Sequence, residues 1–387
     1  MQIRVATLNV WALPEPFGHR VRQRMRAIGA ELSSLDLDAI AFQEVWTAEA
    51  RGILLRAGRE AGLAHAWHND TALGGSGLLV LSRLPIETVH FERFVLPGRP
   101  QRVDHPDYYG GKGFARVRLA TAAGPVTFVD THLHARYGGD VAHEYLAYRI
   151  GEVVQMAMRM AVAREPLIAA GDFNFREEDP EYRVLRGLAH VRDVATESGH
   201  PEPTIFRGNP FRAGKRNSDR RVDYLFVRDG RQQGVRVRET RRVFDEVFEL
   251  GGNPASYSNH AGVLAELEIG RSSPAPAPAF DPEAAGLASR LLAEGRRLAK
   301  HQRRGDRAAA GIGLAMALLA AAGVRHRSVS RRRLLRAGLE GAGILALTPS
   351  IGLSILSEVF APDELRAFDN LAALLDRASS EAADGLA

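Results

Sequence analysis

The chain has 387 residues, of which 45% are hydrophobic and 25% charged, enough to bury a core and more than one ordinary domain requires. It has no cysteine, which excludes disulfides and thiolate metal sites, leaves oxygen and imidazole ligands, and fits a reducing compartment. The net charge of +5 lies mostly from Arg271 onward, where 16 basic residues face 12 acidic ones and the preceding 270 residues stand at +1; a dedicated nucleic-acid enzyme more often carries its basic excess on the catalytic body.

In chain order, MQIRVATLNVW has no apolar stretch after its first charge, so no cleavable secretory signal is expected. Strands are expected at Ile3–Val10, Ala39–Gln43, Leu78–Ser82, Phe114–Leu119, Val126–Thr131, Leu167–Ala170, Val222–Val227 and Gly262–Leu267. Between the first two, Met25, Ile28, Leu32 and Leu35 share one helical face. A second long helix is expected from His143 to Arg164, stopped before Pro166. So many strands with few helices point to two packed sheets with helices outside. Alternating Pro and Ala in SSPAPAPAF mark a stiff linker over 271–280, separating a body, 1–270, from a tail, 281–387.

The tail has two apolar stretches, 307–325 and 341–360. As a helix the 17 uncharged residues between Arg307 and Arg325 span about 25 Å, short of a ~30 Å hydrocarbon core. The second is expected to kink at Thr348-Pro349. Six basic residues from Arg296 to Arg307 precede the first stretch, and six more, from Arg325 to Arg336, separate the two. A spanning hairpin would split these charges across the bilayer, whereas an interfacial hairpin on anionic lipid would hold all of them at one surface. Membrane association is expected, with spanning left open; the alternative is a soluble helical bundle.

Polar residues gather where the apolar runs stop. They are Asn9 in ATLNVW, Glu44 in AIAFQEVW, His132 and His134 in DTHLHARY, Asp172 and Asn174 in GDFN, Asp223 in RRVDYLFV and His260 in YSNHAGV. Each alone reads as a turn cap or a surface histidine, but strand ends also build open sites. Together they suit phosphodiester hydrolysis. Glu44 and Asn9 supply the hard oxygens that Mg²⁺ takes, and a histidine is the natural base for an attacking water. In an extended chain His132 and His134 would face one side, as a metal pair, as packed core side chains or as part of the hydrolytic site.

TLNVW, FQEVW, GSGLLVLSRLPI, THLHARY, GDFN, RVDYLFV and SNH occur in the order seen in the exonuclease–endonuclease–phosphatase superfamily. Over about residues 1–268 the chain resembles that superfamily. THLHA followed by HEYLAYRIGE, with the GGKGF loop, is similar to its neutral sphingomyelinase branch. The resemblance implies a DNase I-like four-layer α/β/β/α sandwich and an Mg²⁺-dependent phosphodiesterase, with Mn²⁺ as the alternative ion. It further implies in-line water attack on sphingomyelin or ceramide phosphoethanolamine, releasing ceramide and the phosphorylated head group. Glu44 would be the principal metal ligand with Asn9 beside it, and His260 the general base, oriented by Asp223. Asn174 and His132 would contact the phosphate, and Asp172 would handle a proton or a second ion. Lys112 and Asp107 would form a switch near the scissile phosphate, and His134 would be a branch-specific residue, structural or at the substrate.

The partners implied are a phospholipid and a membrane surface, not nucleic acid, with the catalytic body on the cytoplasmic side. One departure stands out, because the usual closing Ser-Asp-His is Ser258-Asn259-His260 here. Loss of that carboxylate would weaken the base unless Asp223 serves instead. Competing readings are a nuclease or phosphoinositide phosphatase on the same fold, and a non-enzymatic lipid-binding module.

Overall fold

The computed structural model describes residues 1–69, 75–102, 104–137, 145–213, 219–271, 281–326 and 332–384. Two six-stranded mixed sheets dominate it. The first contains β1 (Gln2–Ala12), β2 (Ala39–Val45), β3 (His65–His68), β4 (Leu79–Ser82), β11 (Gln233–Val243) and β14 (Gly262–Arg271), in the order β11-β14-β1-β2-β4-β3. The second contains β5 (Ile86–Arg93), β6 (Gly113–Leu119), β7 (Val126–His132), β8 (Leu167–Asp172), β9 (Arg192–Asp193) and β10 (Asp223–Arg228), in the order β5-β6-β7-β8-β10-β9. A hairpin, β12 (Phe248–Leu250) and β13 (Asn253–Ala255), lies apart from both.

Three apolar layers hold the sandwich together. Ile3, Val5, Val80, Val117, Phe128, Ile168, Leu225 and Leu267 fill the space between the sheets. Helices α1 (Val21–Leu32) and α2 (Ala48–Glu60) cover the first sheet through Met25, Ile28, Leu32 and Leu54. Helices α3 (Leu146–Ala161) and α4 (Pro180–Ala189) cover the second through Ile150, Val153, Val154, Val184 and Leu188. Because both faces of each sheet are buried, the central strands read as near-continuous apolar runs rather than alternations. The result is the α/β/β/α sandwich that the sequence implied.

All eight expected strands form, several extended at their polar ends. The expected helix His143–Arg164 is shorter: it runs Leu146–Ala161, and its first expected residues lie outside the described ones. The 272–280 portion of the Pro/Ala linker also lies outside the described residues. A short helix, α5 (Val194–Ser198), follows β9.

The tail is helical. Helix α6 (Pro282–Arg325) has 44 residues, about 66 Å at 1.5 Å per residue. Its first half joins the core over α3 and α4 through Ala284, Ala288 and Leu292. Its second half projects away and exposes Ile312, Leu314, Met316, Leu318 and Leu319. Helix α7 (Arg333–Ile355) packs back along it, exposing Ile344, Leu345 and Ile351. The helix continues through Pro349, and Ser350 Oγ donates to Ala346 O at 2.6 Å beside the proline. A π-turn, Leu356–Phe360, then leads into α8 (Ala361–Asp384), which returns Phe368, Leu371 and Leu375 to the outer core.

Candidate active site

Strand register explains why residues far apart in sequence meet. β1 and β2 are parallel within the first sheet, as are β7 and β8 within the second, and the bond from Asn9 to Asp172 brings the C-terminal ends of the two pairs together. β10 and β14 run antiparallel to their neighbours, so their N-terminal ends arrive at the same pole. Asp172 is therefore paired with His132 on one side and Asp223 on the other. Gly171 makes this crowding possible: it has φ 154°, and a Cβ there would sit 2.1 Å from Thr131 O.

The other rim is shaped by backbone irregularity. The β1–β2 register shifts between Asn9 and Ala12, a bulge of the kind that re-aims side chains beside active sites. Trp11, Glu44 and Asn174 all adopt positive φ, at 49°, 60° and 53°. A non-glycine residue there is strained by about 1–2 kcal/mol, and two of the three are expected site residues.

Asn9 is fully buried and acts as a clamp. Its Nδ2 donates to Glu44 Oε1 at 2.8 Å and to Asp172 Oδ2 at 2.9 Å, while its Oδ1 accepts from Trp11 N–H at 3.0 Å. Asp172 Oδ1 accepts from Asn174 N–H at 3.0 Å. Burial, then the charge of Asp223, pushes the Asp172 pKa upward. His260 Nδ1 lies 2.9 Å from Asp223 Oδ2. Burial alone would lower the His260 pKa, but the Asp223 carboxylate more than offsets this, and the net shift is upward. Asp223 Oδ1 is buried with no hydrogen-bond partner among the described residues.

His132 and His134 part company. His132 Nε2 lies 3.0 Å from Lys112 Nζ and 3.6 Å from Asp172 Oδ2. Burial and the Lys112 charge hold His132 neutral, its pKa well below the usual histidine value. His134 is buried at 1% exposure, stacked on Tyr145 at 4.1 Å and edge-on to Tyr137 at 5.8 Å. The strand ends at His132, so the two-residue repeat that would align them does not extend that far. Strand alternation therefore does not by itself align the two; His134 packs among the tyrosines while it feels the charges of Asp107 and Lys112.

Lys112 is 3% exposed, and its ammonium donors are all engaged. It pairs with Asp107, donates to Leu133 O at 2.8 Å and meets His132. Asp107 also accepts from Tyr137 OH and from Ala135 N–H. Asn174 Nδ2 donates one of its two N–H groups to Leu133 O at 3.0 Å, which leaves the second for another acceptor. Asn259, in sequence the substitute for an aspartate, does not touch the imidazole; its Oδ1 accepts from Ser258 Oγ at 3.3 Å.

The arrangement fits a hard divalent cation. Ligand atoms of Glu44, His132 and Asp172 lie within 4.8 Å of one another, as do those of Asp172, Asp223 and His260. The oxygen-rich donor set, the raised Asp172 pKa and the orphaned Asp223 oxygen all mark negative charge that the protein itself leaves under-compensated.

Two arginines that the sequence reading did not single out reach the same pole. Arg212 ends the short turn Pro210–Arg212, and Arg220 precedes β10. Both feel the charge of Asp172, and Arg212 also feels Asp223 and Glu44. Their run, FRAGKRNSDRRVDY, reads as a solvated basic loop; its position directly before the Asp223 strand was the available signal.

A family model described as the Endonuclease/Exonuclease/phosphatase family matches residues 6–260. A "Putative neutral sphingomyelinase" of Drosophila melanogaster is 30% identical over 286 residues, covering 71% of this chain and 62% of that protein. An "Inositol phosphosphingolipids phospholipase C" of Schizosaccharomyces pombe is 32% identical over 218 residues, covering 54% and 50%. The matches thus span between half and two thirds of these relatives' length. Among solved structures, D. rerio TDP2 complexed with a single-strand DNA product superposes with a TM-score of 0.55 at 18% identity, covering 69% of this chain and 99% of that one. That likeness is one of fold.

Proposed function

The chain belongs to the endonuclease/exonuclease/phosphatase family, and from that premise we propose that it is a metal-dependent phosphodiesterase of the neutral sphingomyelinase branch, acting on a sphingophospholipid. The products are ceramide and a phosphorylated head group. The observation that carries the reading is the 2.9 Å His260–Asp223 pair lying next to the Asn9-clamped carboxylates of Glu44 and Asp172.

Glu44 and Asp172 would hold the cation, and Asn9 keeps their carboxylates together. When bound, Mg²⁺ or Mn²⁺ supplies charge neutralisation of the phosphodiester and of the leaving oxygen. Asp223 accepts the Nδ1 proton of His260, so Nε2 is the free base that takes a proton from the attacking water. Neutral His132 and the Lys112 ammonium line the opposite wall, where they meet phosphate oxygens once Lys112 leaves Asp107. Burial of this pole excludes bulk water and strengthens each of these contacts.

The tail supports a lipid substrate. Two helices, Pro282–Arg325 and the one starting at Arg333, are long and apolar enough to cross a membrane. Phe360 at their base lies edge-on to Tyr108, 6.2 Å away, in the loop that carries Asp107 and Lys112. We place the projecting α6–α7 hairpin at a membrane, with the body at the cytoplasmic surface.

The test is head-group release from vesicles containing sphingomyelin, ceramide phosphoethanolamine or ceramide phosphoinositol, in Mg²⁺, in Mn²⁺ and in EDTA. Metal-dependent release of ceramide supports the reading. Plasmid nicking without lipid hydrolysis would replace it with a nuclease, and metal-independent lipid binding without release would replace it with a binding module.

A further inference from the structure

Two arginines stand at the rim of the site, in the field of its carboxylates but without a direct ion pair to them among the described residues. Asn209, fully buried, caps the turn ending at Arg212 by accepting from Phe211 N–H at 3.0 Å, and donates Nδ2 to Ser258 O at 2.8 Å. Arg212 Nε itself reaches Asn259 O at 3.5 Å. The turn is thereby fastened to the segment that holds His260. Arg220 is fixed by backbone bonds to Ile205 at 2.9 and 3.0 Å. Both guanidiniums are half-buried. Among the described residues neither forms an ion pair, although Asp172 lies within range of both charges. A guanidinium keeps its charge and offers only donors. Arg212, fastened beside Asn259 and His260, and Arg220, within range of the Arg212 and Asp172 charges, therefore present donor forks that suit oxygen acceptors and repel cations.

The neighbouring aromatic faces reinforce this. A quaternary ammonium is held by open aromatic rings. The Arg24 guanidinium already sits over Trp11 at 5.2 Å and over Phe211 at 5.7 Å. Tyr137 is stacked on His105 at 3.6 Å. Trp11 and Phe211 thus each already carry a cation on one face, and Tyr137 an imidazole.

Building on the sphingolipid reading above, we infer that Arg212 and Arg220 form a head-group subsite for a hydroxyl-rich group without a cation, and that they disfavour choline and ethanolamine. The scissile phosphate is common to all these lipids, so the discrimination lies in the group beyond it. Hydroxyl oxygens accept from the two forks, whereas an ammonium there meets two like charges.

Product binding tests this independently of turnover. The full chain in detergent and Mg²⁺ is titrated calorimetrically with inositol 1-phosphate and with phosphocholine. The expected result is at least about tenfold tighter binding of inositol 1-phosphate, equivalent to one charge-assisted hydrogen bond. Arg212→Gln combined with Arg220→Gln should erase that ratio by weakening inositol 1-phosphate selectively. Arg212→Lys with Arg220→Lys, which keeps both charges, should still disfavour phosphocholine and guards against a misfolded glutamine variant. Equal affinity for the two ligands in the wild type overturns the inference. So does an equal loss for both in the glutamine variant, which would put the arginines on the shared phosphate. Lipid turnover is read separately: product selectivity without hydrolysis of any sphingolipid sinks the enzyme reading and leaves the subsite standing.

Discussion

His260 Nδ1 and Asp223 Oδ2 lie 2.9 Å apart although 37 residues separate them, while Asn259, the immediate neighbour of the histidine, turns its amide oxygen toward Ser258. The carboxylate that orients the base therefore comes from the start of β10, not from the adjacent position. Asp223→Asn should lower kcat by roughly 10²–10⁴, the usual worth of a working general base, and move the acid limb of the pH–rate profile. Asn259→Asp should leave both kcat and that profile near wild type. A large gain from Asn259→Asp would return the orienting role to residue 259.

Glu44 combines a proposed metal-binding role with backbone strain. Its φ of 60° is costly for any residue with a Cβ. Glu44→Ala and Glu44→Gly should both abolish metal-dependent turnover. Glycine should be the more stable of the two by about 1 kcal/mol, because it alone occupies this region freely. Denaturant unfolding of the pair decides it; equal stabilities would mean that the strain is relieved by local movement.

Much of this site was legible in the sequence, and the limits have physical causes. Asn9, Glu44, His132 and Asp172 follow or end apolar runs, and parallel pairing of β1 with β2 and β7 with β8 carries those ends to one pole. Asp223 and His260 sit at the starts of antiparallel strands and reach it from the other direction. The fate of His134 was not legible, because a period-two argument fails once the strand stops at His132. Strands β3, β5 and β11 were missed since they are edge or near-edge strands with mixed polar composition. The docking of α6 and α8 on the body was also hidden. Small residues such as Ala284, Ala288 and Gly295 make that contact, and they carry no pattern until the partner surface is known.

Asp107 and Lys112 form a buried ion pair, each under 6% exposed. Burial alone would raise the Asp107 pKa, yet the Lys112 ammonium, with the Tyr137 hydroxyl, holds it far below the usual carboxylate range. The folded pKa is depressed, so this stabilisation is present above the ordinary aspartate value and is lost as the pH falls below it. Asp107→Asn should cost about 3–5 kcal/mol at neutral pH, since it strands a buried ammonium, and should flatten the acid side of the stability curve. A thermal-unfolding series from neutral to acid pH checks both; a loss under 1 kcal/mol would show that Lys112 finds another partner.

Glu152 presents the opposite sign. It is buried beneath His134, whose backbone N–H it accepts at 2.8 Å, and burial pushes its pKa from 4.5 up to about 8. Between those values the folded state holds a proton that the unfolded state has released. Stability therefore falls as pH rises from about 4.5 to about 8. Glu152→Gln keeps the shape without the titration and should remove that part of the decline in Tm. Parallel slopes for the two proteins across the window would refute the assignment.

The exposed apolar face of the α6–α7 hairpin gives the last prediction. Leu318, Leu319, Ile344 and Leu345 are 63–77% exposed, so replacing all four with serine removes little folded-state packing. If the hairpin enters lipid, each side chain gains roughly 1.5–3 kcal/mol there, and the quadruple variant should bind vesicles at least about 10⁴-fold more weakly. Turnover of a short-chain substrate dispersed in detergent should stay at the wild-type rate, because these residues lie on the projecting half of α6 and the facing half of α7, away from the strand ends. Undiminished co-sedimentation with vesicles would mean that another surface meets the membrane. A matching fall in both assays would mean that the hairpin supports the catalytic body itself.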